Sequence, residues 1–286
     1  MTPQRIGIVH PGSMGISIAA SAQNSGHHVS WASEGRSGAT VERATKHGLR
    51  DAGSLARLCA ECTVLISVCP PHAAEPVARQ VAAQGFRGLY VDANAIAPRR
   101  VVCIGRMLVD AGAAFVDGGI IGEPAWEPGR TWLYLAGPRA DEVTGLFAAG
   151  PLGTHVLGAT VGQASALKMC FAAYTKGTTA LLCAILAAAE QLHVRDALER
   201  RWAHGDAAFT EQAHRRVRGV TAKAWRFVGE MDEIAATFRD AGMPGEFHEA
   251  AATIYRRLTD FKESRSAPAL EDVLAALTQS GPAARV

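Results

Sequence analysis

Through the first half of the chain, short apolar runs alternate with stretches whose apolar residues recur every three or four positions. The runs Arg5–Val9, His28–Ala32, Thr63–Val68, Leu89–Asp92, Ala114–Asp117, Thr131–Ala136 and Thr154–Leu157 read as strands. Helical periodicity lies between most of them, from Met14 to about Ser25, at His72–Gln84 and at Arg99–Ala111. Strands joined by helices of this length predict an α/β fold with a mainly parallel sheet and right-handed crossovers. Such a sheet takes its ligand beyond the carboxyl ends of the strands, where strand order reverses. The loops expected there are His10-Pro11-Gly12, Ser33-Glu34-Gly35-Arg36, Cys69-Pro70-Pro71-His72, Asp92-Ala93-Asn94 and Asp117-Gly118-Gly119.

The pattern changes near Gly158, which sets expected domains of 1–158 and 159–286. From about Val161 to Leu192 the residues read as one helix, apolar on nearly every face and about 45 Å long. A helix apolar all round must be covered, and the expected cover is other helices, including those of a second copy in a homodimer. The longest uncharged apolar stretch, Gly177 to Ala189, falls short of the ~18 residues of a membrane span, so a soluble chain is expected. Asp196 to about Leu277 looks helical throughout, broken at Gly219 and at Gly242-Met243-Pro244-Gly245, and Gln279–Val286 reads as a frayed tail.

Composition narrows the function classes. The chain has 286 residues, 48% hydrophobic, enough for a large core and two domains. A formal net charge of +2 gives no electrostatic case for nucleic acid, and the arginines at Arg200-Arg201, Arg215-Arg216-Arg218 and Arg256-Arg257 alternate with acids as on a solvated face. Six cysteines without a secretory signal read as reduced thiols of a cytoplasmic protein. Cys59 and Cys62 form a C-x-x-C that no second pair or histidine completes, so no metal site is expected.

The candidate chemistry begins at Arg5-Ile6-Gly7-Ile8-Val9-His10-Pro11-Gly12-Ser13-Met14-Gly15, a strand, a tight turn and a helix. Gly12 would let the backbone approach a pyrophosphate and Gly15 would let helix and strand pack closely, with the helix N-terminus offering N–H groups to the phosphates. His10 stands where the pattern G-x-G-x-x-G has its first glycine. His10, Pro11, Gly12, Ser13, Met14 and Gly15, with Cys69, Pro70 and Asn94, form the expected dinucleotide edge. At the end of the second strand, Ser33, Arg36 and Ser37 suit a 2′-phosphate, which favours NADP with NAD as the lesser option; Glu34 is the contrary residue. Lys168 is the only charge between Arg139-Ala140-Asp141-Glu142 and Lys176. Apolar surroundings would lower the pKa of its ammonium and fit it for proton exchange with an alcohol or carbonyl.

At these residues the chain resembles the β-hydroxyacid dehydrogenase superfamily, which includes the 3-hydroxyisobutyrate and 6-phosphogluconate dehydrogenases. The resemblance spans nearly the whole length. It rests on the Met14-Gly15 ending of the glycine turn, on Asp117-Gly118-Gly119-Ile120-Ile121-Gly122 in place of a substrate-binding Asp-x-Pro-Val-Ser-Gly, and on Gly162 and Lys168 of G-x-G-x-x-x-K-x-x-x-N. It implies a Rossmann-type doubly wound sheet followed by a helical domain, in a branch whose helical domain has no settled function, and Lys168 as catalytic lysine. Ile121 replaces the family's serine, Ala172 its asparagine and Ala164 its second glycine. The substrate expected is therefore less carboxylate-directed than in typical members. Gly119, Ile121, Gly122, Glu123, Ala172, Tyr174, Lys176 and His248 are the candidate substrate residues, with Thr175 and Asn94 as further polar groups. Trp126, Trp132, Trp225 and Phe247 are candidates for an apolar pocket. The leading expectation is an oxidoreductase on a carbonyl/alcohol pair; imine reduction on the same scaffold and a non-catalytic NADP sensor are the alternatives.

Overall fold

Runs buried on both faces become strands here, and their side chains sort by alternation. The computed structural model describes residues 2–262, 264 and 266–279. It divides into two compact units, one through Met169 and one from Cys170. The division falls inside a helix, beyond the expected boundary at Gly158.

The first unit contains β1 (Arg5–Ile8), α1 (Ser13–Asn24), β2 (His28–Trp31), α2 (Gly38–Lys46), β3 (Arg50–Asp51), α3 (Leu55–Glu61), β4 (Val64–Ser67), α4 (Ala74–Ala83), β5 (Leu89–Asp92), α5 (Pro98–Asp110), β6 (Ala114–Ile121), β7 (Trp132–Ala136), α6 (Ala140–Thr144) and β8 (Gly153–Gly158). The strands form one sheet in the order β3-β2-β1-β4-β5-β6-β7-β8. β6 and β7 are antiparallel, and every other neighbouring pair is parallel. Strand order reverses between β1 and β4, where a doubly wound sheet opens its crevice. Val64, Ile66, Leu89, Val91 and Val116 pack on one face with Ile16, Ile18 and Phe147. Leu65, Tyr90 and Phe115, the alternate positions, pack on the other with Leu58, Val81 and Ile104. Each such side chain contributes roughly 1.5–3 kcal/mol by leaving water.

Three features differ from the sequence reading. β6 does not stop at Asp117: it continues to Ile121, because Gly118 to Ile121 pair with β7. The expected loop Asp117-Gly118-Gly119 is therefore strand. The exposed two-residue edge strand β3 and the helix α2, with one buried residue, carry too few apolar positions to be read beforehand, and α3 spans only seven residues, too short to show a period.

The expected helix from Val161 to Leu192 is composite. It comprises α7 (Gln163–Ala172), a π turn at Ala173–Gly177 and α8 (Thr178–Gln191). The run of 29 residues is long and apolar enough to cross a membrane by length and composition, contrary to a reading limited to its uncharged part, and half of its most apolar window is buried. The π turn shifts the backbone ladder, and side chains of the second unit meet its carbonyls: Tyr255 Oη donates to Lys176 O at 2.7 Å and Arg216 Nη2 to Thr175 O at 3.4 Å.

The second unit continues with α9 (Arg195–Gly205), α10 (Phe209–Val220), α11 (Ala224–Asp240), α12 (Glu246–Arg256) and α13 (Leu270–Thr278). α10 ends at Val220, one residue past the break expected at Gly219, and a 3-10 turn at Thr221–Lys223 leads into α11, while the Gly242–Gly245 break separates α11 from α12. Cys183, Leu186, Val217, Met231, Ile234, Tyr255, Leu258 and Val273 form its interior. The frayed tail expected at Gln279–Val286 lies, past Gln279, outside the described residues.

The β1–α1 turn separates two kinds of glycine. A Cβ on Gly15 would run into the carbonyl oxygen of His10, whereas one on Gly12 would meet no protein atom within 4 Å. Gly12 also has an ordinary φ of −68°. Gly15→Ala should lower the unfolding free energy by about 1–3 kcal/mol, as overpacking against fixed backbone does. Gly12→Ala should leave it nearly unchanged. Urea denaturation of the two variants checks both, and equal losses would refute the distinction.

Candidate active site

β1 runs into a turn in which Gly12 N donates to His10 O at 2.9 Å and Ile16 N to Gly12 O at 2.9 Å. α1 then starts with no side-chain cap on Gly12 and no acid in its first turn. A helix start of this kind presents free N–H groups and a partial positive charge to an anion. Since Gly12 is required neither by φ nor by a protein neighbour, the open space above it suits close approach of a diphosphate. These residues fit a dinucleotide.

Two guanidinium groups flank the turn. Arg36 Nη2 donates to Val9 O at 3.2 Å, and Arg43 Nη1 from α2 donates to Pro11 O at 3.3 Å. Arg36 Nε is buried without a partner, and burial pushes the group below its ordinary pKa. His10 is half-buried with an unpartnered Nδ1; burial, then Arg36, pushes it down to about 4, so its imidazole is neutral at pH 7. Ser33 N donates to Asp51 Oδ1, Ser37 Oγ pairs with Thr40 Oγ1, and Glu34 is exposed. Arg43 was not among the expected residues. Nothing local marks it, because it reaches the turn only through the packing of α2.

Behind the turn, Cys69 N donates to Asn94 Oδ1 at 2.6 Å and Asn94 Nδ2 to Ser67 Oγ at 3.2 Å. The fold thus brings Cys69 and Asn94 together, with Pro70 exposed beside them. Burial pushes the Cys69 thiol up to about 12 and makes it a poor nucleophile. Asp92 is buried with Oδ2 unpartnered, and burial raises it to about 7 despite a hydrogen bond from Asn94 N.

Asp117 faces Asp92 across the β5–β6 register. Its Oδ2 accepts from Gly162 N, Ala164 N and Ser165 N at 2.8, 3.0 and 3.2 Å, and its Oδ1 accepts from Ser165 Oγ at 2.6 Å. Burial raises Asp117 as well, but these donors favour its ionised form. Of the two neighbours, Asp117 is the one whose ionised form more donors support. Lys168 lies half-buried one turn into α7, against β6: a Cβ on Gly119 would stand 2.5 Å from Ala164 O and 3.2 Å from Lys168 Cβ. Ile8, Ile66, Val91 and Val116 share one level of the sheet. Gly119 is three residues further, about 10 Å beyond that level, at the edge where the glycine turn also lies. Lys168 is thus held at the carboxyl edge of the parallel strands. Ile121 is half-buried, Gly122 and Glu123 are exposed at the end of β6, and Thr131 Oγ1 donates to Glu123 O.

The remaining candidates belong to the second unit. Ala172 is buried and Tyr174 is 71% exposed. Lys176 is already engaged: it pairs with Glu230 and stands 4.5 Å from the centre of the Phe227 ring. Tyr174, Phe238, Met243, Pro244, Phe247 and His248 line an apolar cleft of about 490 Å3. His248 is 4% exposed and packs edge-on between Phe238 and Phe247, and burial lowers its pKa. Only Phe247 of the four aromatics expected in a pocket lines this cleft. Trp225 instead carries Arg226 and Lys262 over its ring, and Trp126 and Trp132 lie exposed in the first unit.

Residues 5–142 match the NAD binding domain of 6-phosphogluconate dehydrogenase, and residues 189–258 match a domain of unknown function, DUF1932. An uncharacterised 28.5 kDa protein of Methanothermus fervidus is 30% identical over 165 residues, 58% of this chain; the match spans 63% of that relative's length. A conserved protein of unknown function, whose structure was described as similar to 3-hydroxyacid dehydrogenases, is 30% identical at a TM-score of 0.69, covering 90% of this chain and 97% of its own. The 3-hydroxyisobutyrate dehydrogenase of Mycobacterium tuberculosis has the same fold at 17% identity and a TM-score of 0.69, over 97% and 100% of the two chains. A reductive aminase of Aspergillus terreus shares it more distantly, at 18% identity and a TM-score of 0.56, over 96% and 99%. The chain therefore belongs to the β-hydroxyacid dehydrogenase superfamily, in the branch that joins a 6-phosphogluconate dehydrogenase-type NAD-binding domain to a DUF1932 helical domain.

Proposed function

We propose that this nicotinamide-dependent oxidoreductase uses NADPH and acts on a carbonyl/alcohol pair, with Lys168 as general acid in reduction and general base in oxidation. The observation that carries the reading is the placement of Lys168 against Gly119, on the edge of the sheet where the uncapped α1 begins. A bound reduced nicotinamide supplies the hydride. The Lys168 ammonium stabilises charge developing on the substrate oxygen and donates the proton. The amides of Ser13 to Gly15 hold the diphosphate, and Arg36 and Arg43 bind the 2′-phosphate by charge-assisted hydrogen bonds. The half-buried Ile121 and the buried Ala172 favour an uncharged substrate, since neither offers a hydrogen bond to a carboxylate.

Imine reduction is the second reading, favoured by the fold shared with the reductive aminase. Lys168 supports the carbonyl reading over it, and weighs with the open glycine turn against a non-catalytic NADP sensor. Residues 1–158 serve the cofactor and 159–286 serve substrate and assembly in a cytoplasmic enzyme of small molecules, without nucleic-acid or membrane partners.

The protein is an obligate homodimer in this reading, joined through the helix at 161–192. Phe171, Tyr174, Leu181 and Leu192 are exposed along it. Apolar surface of that kind on a helix suits burial against an identical copy. Sedimentation at micromolar concentration should give a dimer, and a stable, active monomer would exclude it.

The chemistry is tested with NADPH and a panel containing cyclohexanone, 4-oxocyclohexanecarboxylate, benzaldehyde and the cyclic imine 1-pyrroline. Cyclohexanone should be reduced faster than its carboxylate analogue. Lys168→Met should lower kcat by ~10²–10⁴-fold, the usual contribution of a general acid, with NADPH affinity nearly unchanged. Lys168→Arg should not restore it, because a guanidinium does not give up its proton. Near-normal turnover in Lys168→Met would assign proton transfer to another group. In the same assay, Arg36→Ala should raise KM for NADPH at least tenfold more than KM for NADH; equal use of both cofactors by the wild type would exclude the NADP preference.

A further inference from the structure

α7 begins where its own sequence provides no cap. The residues before it are Ala159-Thr160-Val161-Gly162, and Gly162 has φ +105°, a conformation that other L-residues adopt only under strain. The first turn of a helix leaves its N–H groups without intrahelical acceptors, so they must find acceptors elsewhere. Two of them, on Ala164 and Ser165, converge with the N–H of the preceding Gly162 on one oxygen of Asp117, a residue 45 to 48 positions earlier on β6. The Ser165 hydroxyl takes the other oxygen at 2.6 Å. Asp117 is fully buried, so these bonds are shielded from competing water. Its negative charge also complements the positive end of the α7 dipole.

Two residues further along β6, and so on the same face, the absence of a side chain on Gly119 admits the α7 backbone at Ala164 and Lys168. Lys168 is one helical turn beyond Ser165. β6 therefore fixes α7 at two points, a charged clamp at Asp117 and a close contact at Gly119, and Lys168 lies at the second.

We propose that Asp117 is a positioning residue for Lys168: its carboxylate, holding the first turn of α7, sets the height and rotation at which Lys168 faces the ligand edge of the sheet. The proposal rests on the reading of Lys168 as the proton donor, and its test separates the two. Asn at 117 keeps the shape and one acceptor oxygen, but loses the charge and turns an acceptor into a donor facing either Ser165 or the α7 amides.

The experiment compares wild type, Asp117→Asn, Lys168→Met and the double variant, first without substrate. Amide hydrogen exchange in the α7 segment from Ala164 to Lys168 should rise at least tenfold in Asp117→Asn, while amides of β1 and β4 keep their protection. Lys168 is one of five lysines, so its resonance in the reductively 13C-methylated protein can be assigned by its loss in Lys168→Met. That resonance should move in Asp117→Asn while that of Lys176 stays in place. Unchanged exchange and an unmoved Lys168 resonance would overturn the proposal, as would protection lost uniformly across the sheet, since Asp117 would then be only a fold residue. Turnover of the most active panel substrate completes the cycle. kcat should fall at least tenfold in Asp117→Asn with KM for NADPH within twofold of wild type, and the loss should disappear in the Lys168→Met background. Additive losses would also overturn the proposal. Near-normal turnover in Lys168→Met would sink the proton-transfer reading and leave the substrate-free measurements to decide the positioning role.

Discussion

The first turn of a helix carries N–H groups that the helix itself cannot use, and two helices of the sheet unit meet that constraint in opposite ways. α1 begins at Gly12 without a side-chain cap or an acid. α7 begins with its amides closed on the buried carboxylate of Asp117. One helix start is left open to a ligand anion and the other is sealed by an internal one. α1 stands at the carboxyl edge of the parallel strands, where a β–α connection places a helix start; α7 leaves β8, which runs opposite to β1–β6, and comes to Asp117 because the β7–β8 register ends beside it. The site thus follows from the topology together with one acidic residue at the right register of β6.

Where the sequence was readable, it was because a single element carried the whole signal. The glycine turn needs only a strand, a break and a helix in succession, all within residues 5–24. The alternation of Val64 and Ile66 against Leu65 needs only a period of two. Arg43 and the clamp at Asp117 were not readable, because each is a contact between elements. Arg43 reaches Pro11 across 32 positions, and Asp117 reaches α7 across 45. β6 was read too short for a related reason. Its glycines at 118 and 119 look like a turn in isolation, yet they are strand residues paired with Leu135 and Tyr134. Lys176 shows the opposite error: a lysine that looked available in the sequence is held by Glu230 and Phe227.

The two units differ in what holds them. In the sheet unit the charged groups around the turn are locked to backbone oxygens, as Arg36 is to Val9 and Arg43 to Pro11. Their geometry is set before any ligand arrives, which reduces the ordering cost of binding. In the helical unit the polar bonds instead repair the backbone of the long helix, through Tyr255 and Arg216. Its cleft is lined by Phe238, Met243, Phe247 and the buried His248. A lining of that kind offers shape and apolar area more than hydrogen bonds.

The π turn at Ala173–Gly177 acts as a phase shifter. In an α-helix each residue advances the azimuth by about 100°, so one residue accommodated in a wider turn rotates everything after it around the common axis. Phe171 before that turn, Tyr174 within it and Leu181 after it are all exposed. Removing a single residue there would shorten no loop and open no cavity of its own. It would turn the faces of α8 against those of α7 and carry Leu182, Cys183 and Leu186 away from the interior they now fill. Length in this segment is therefore under tighter constraint than residue identity.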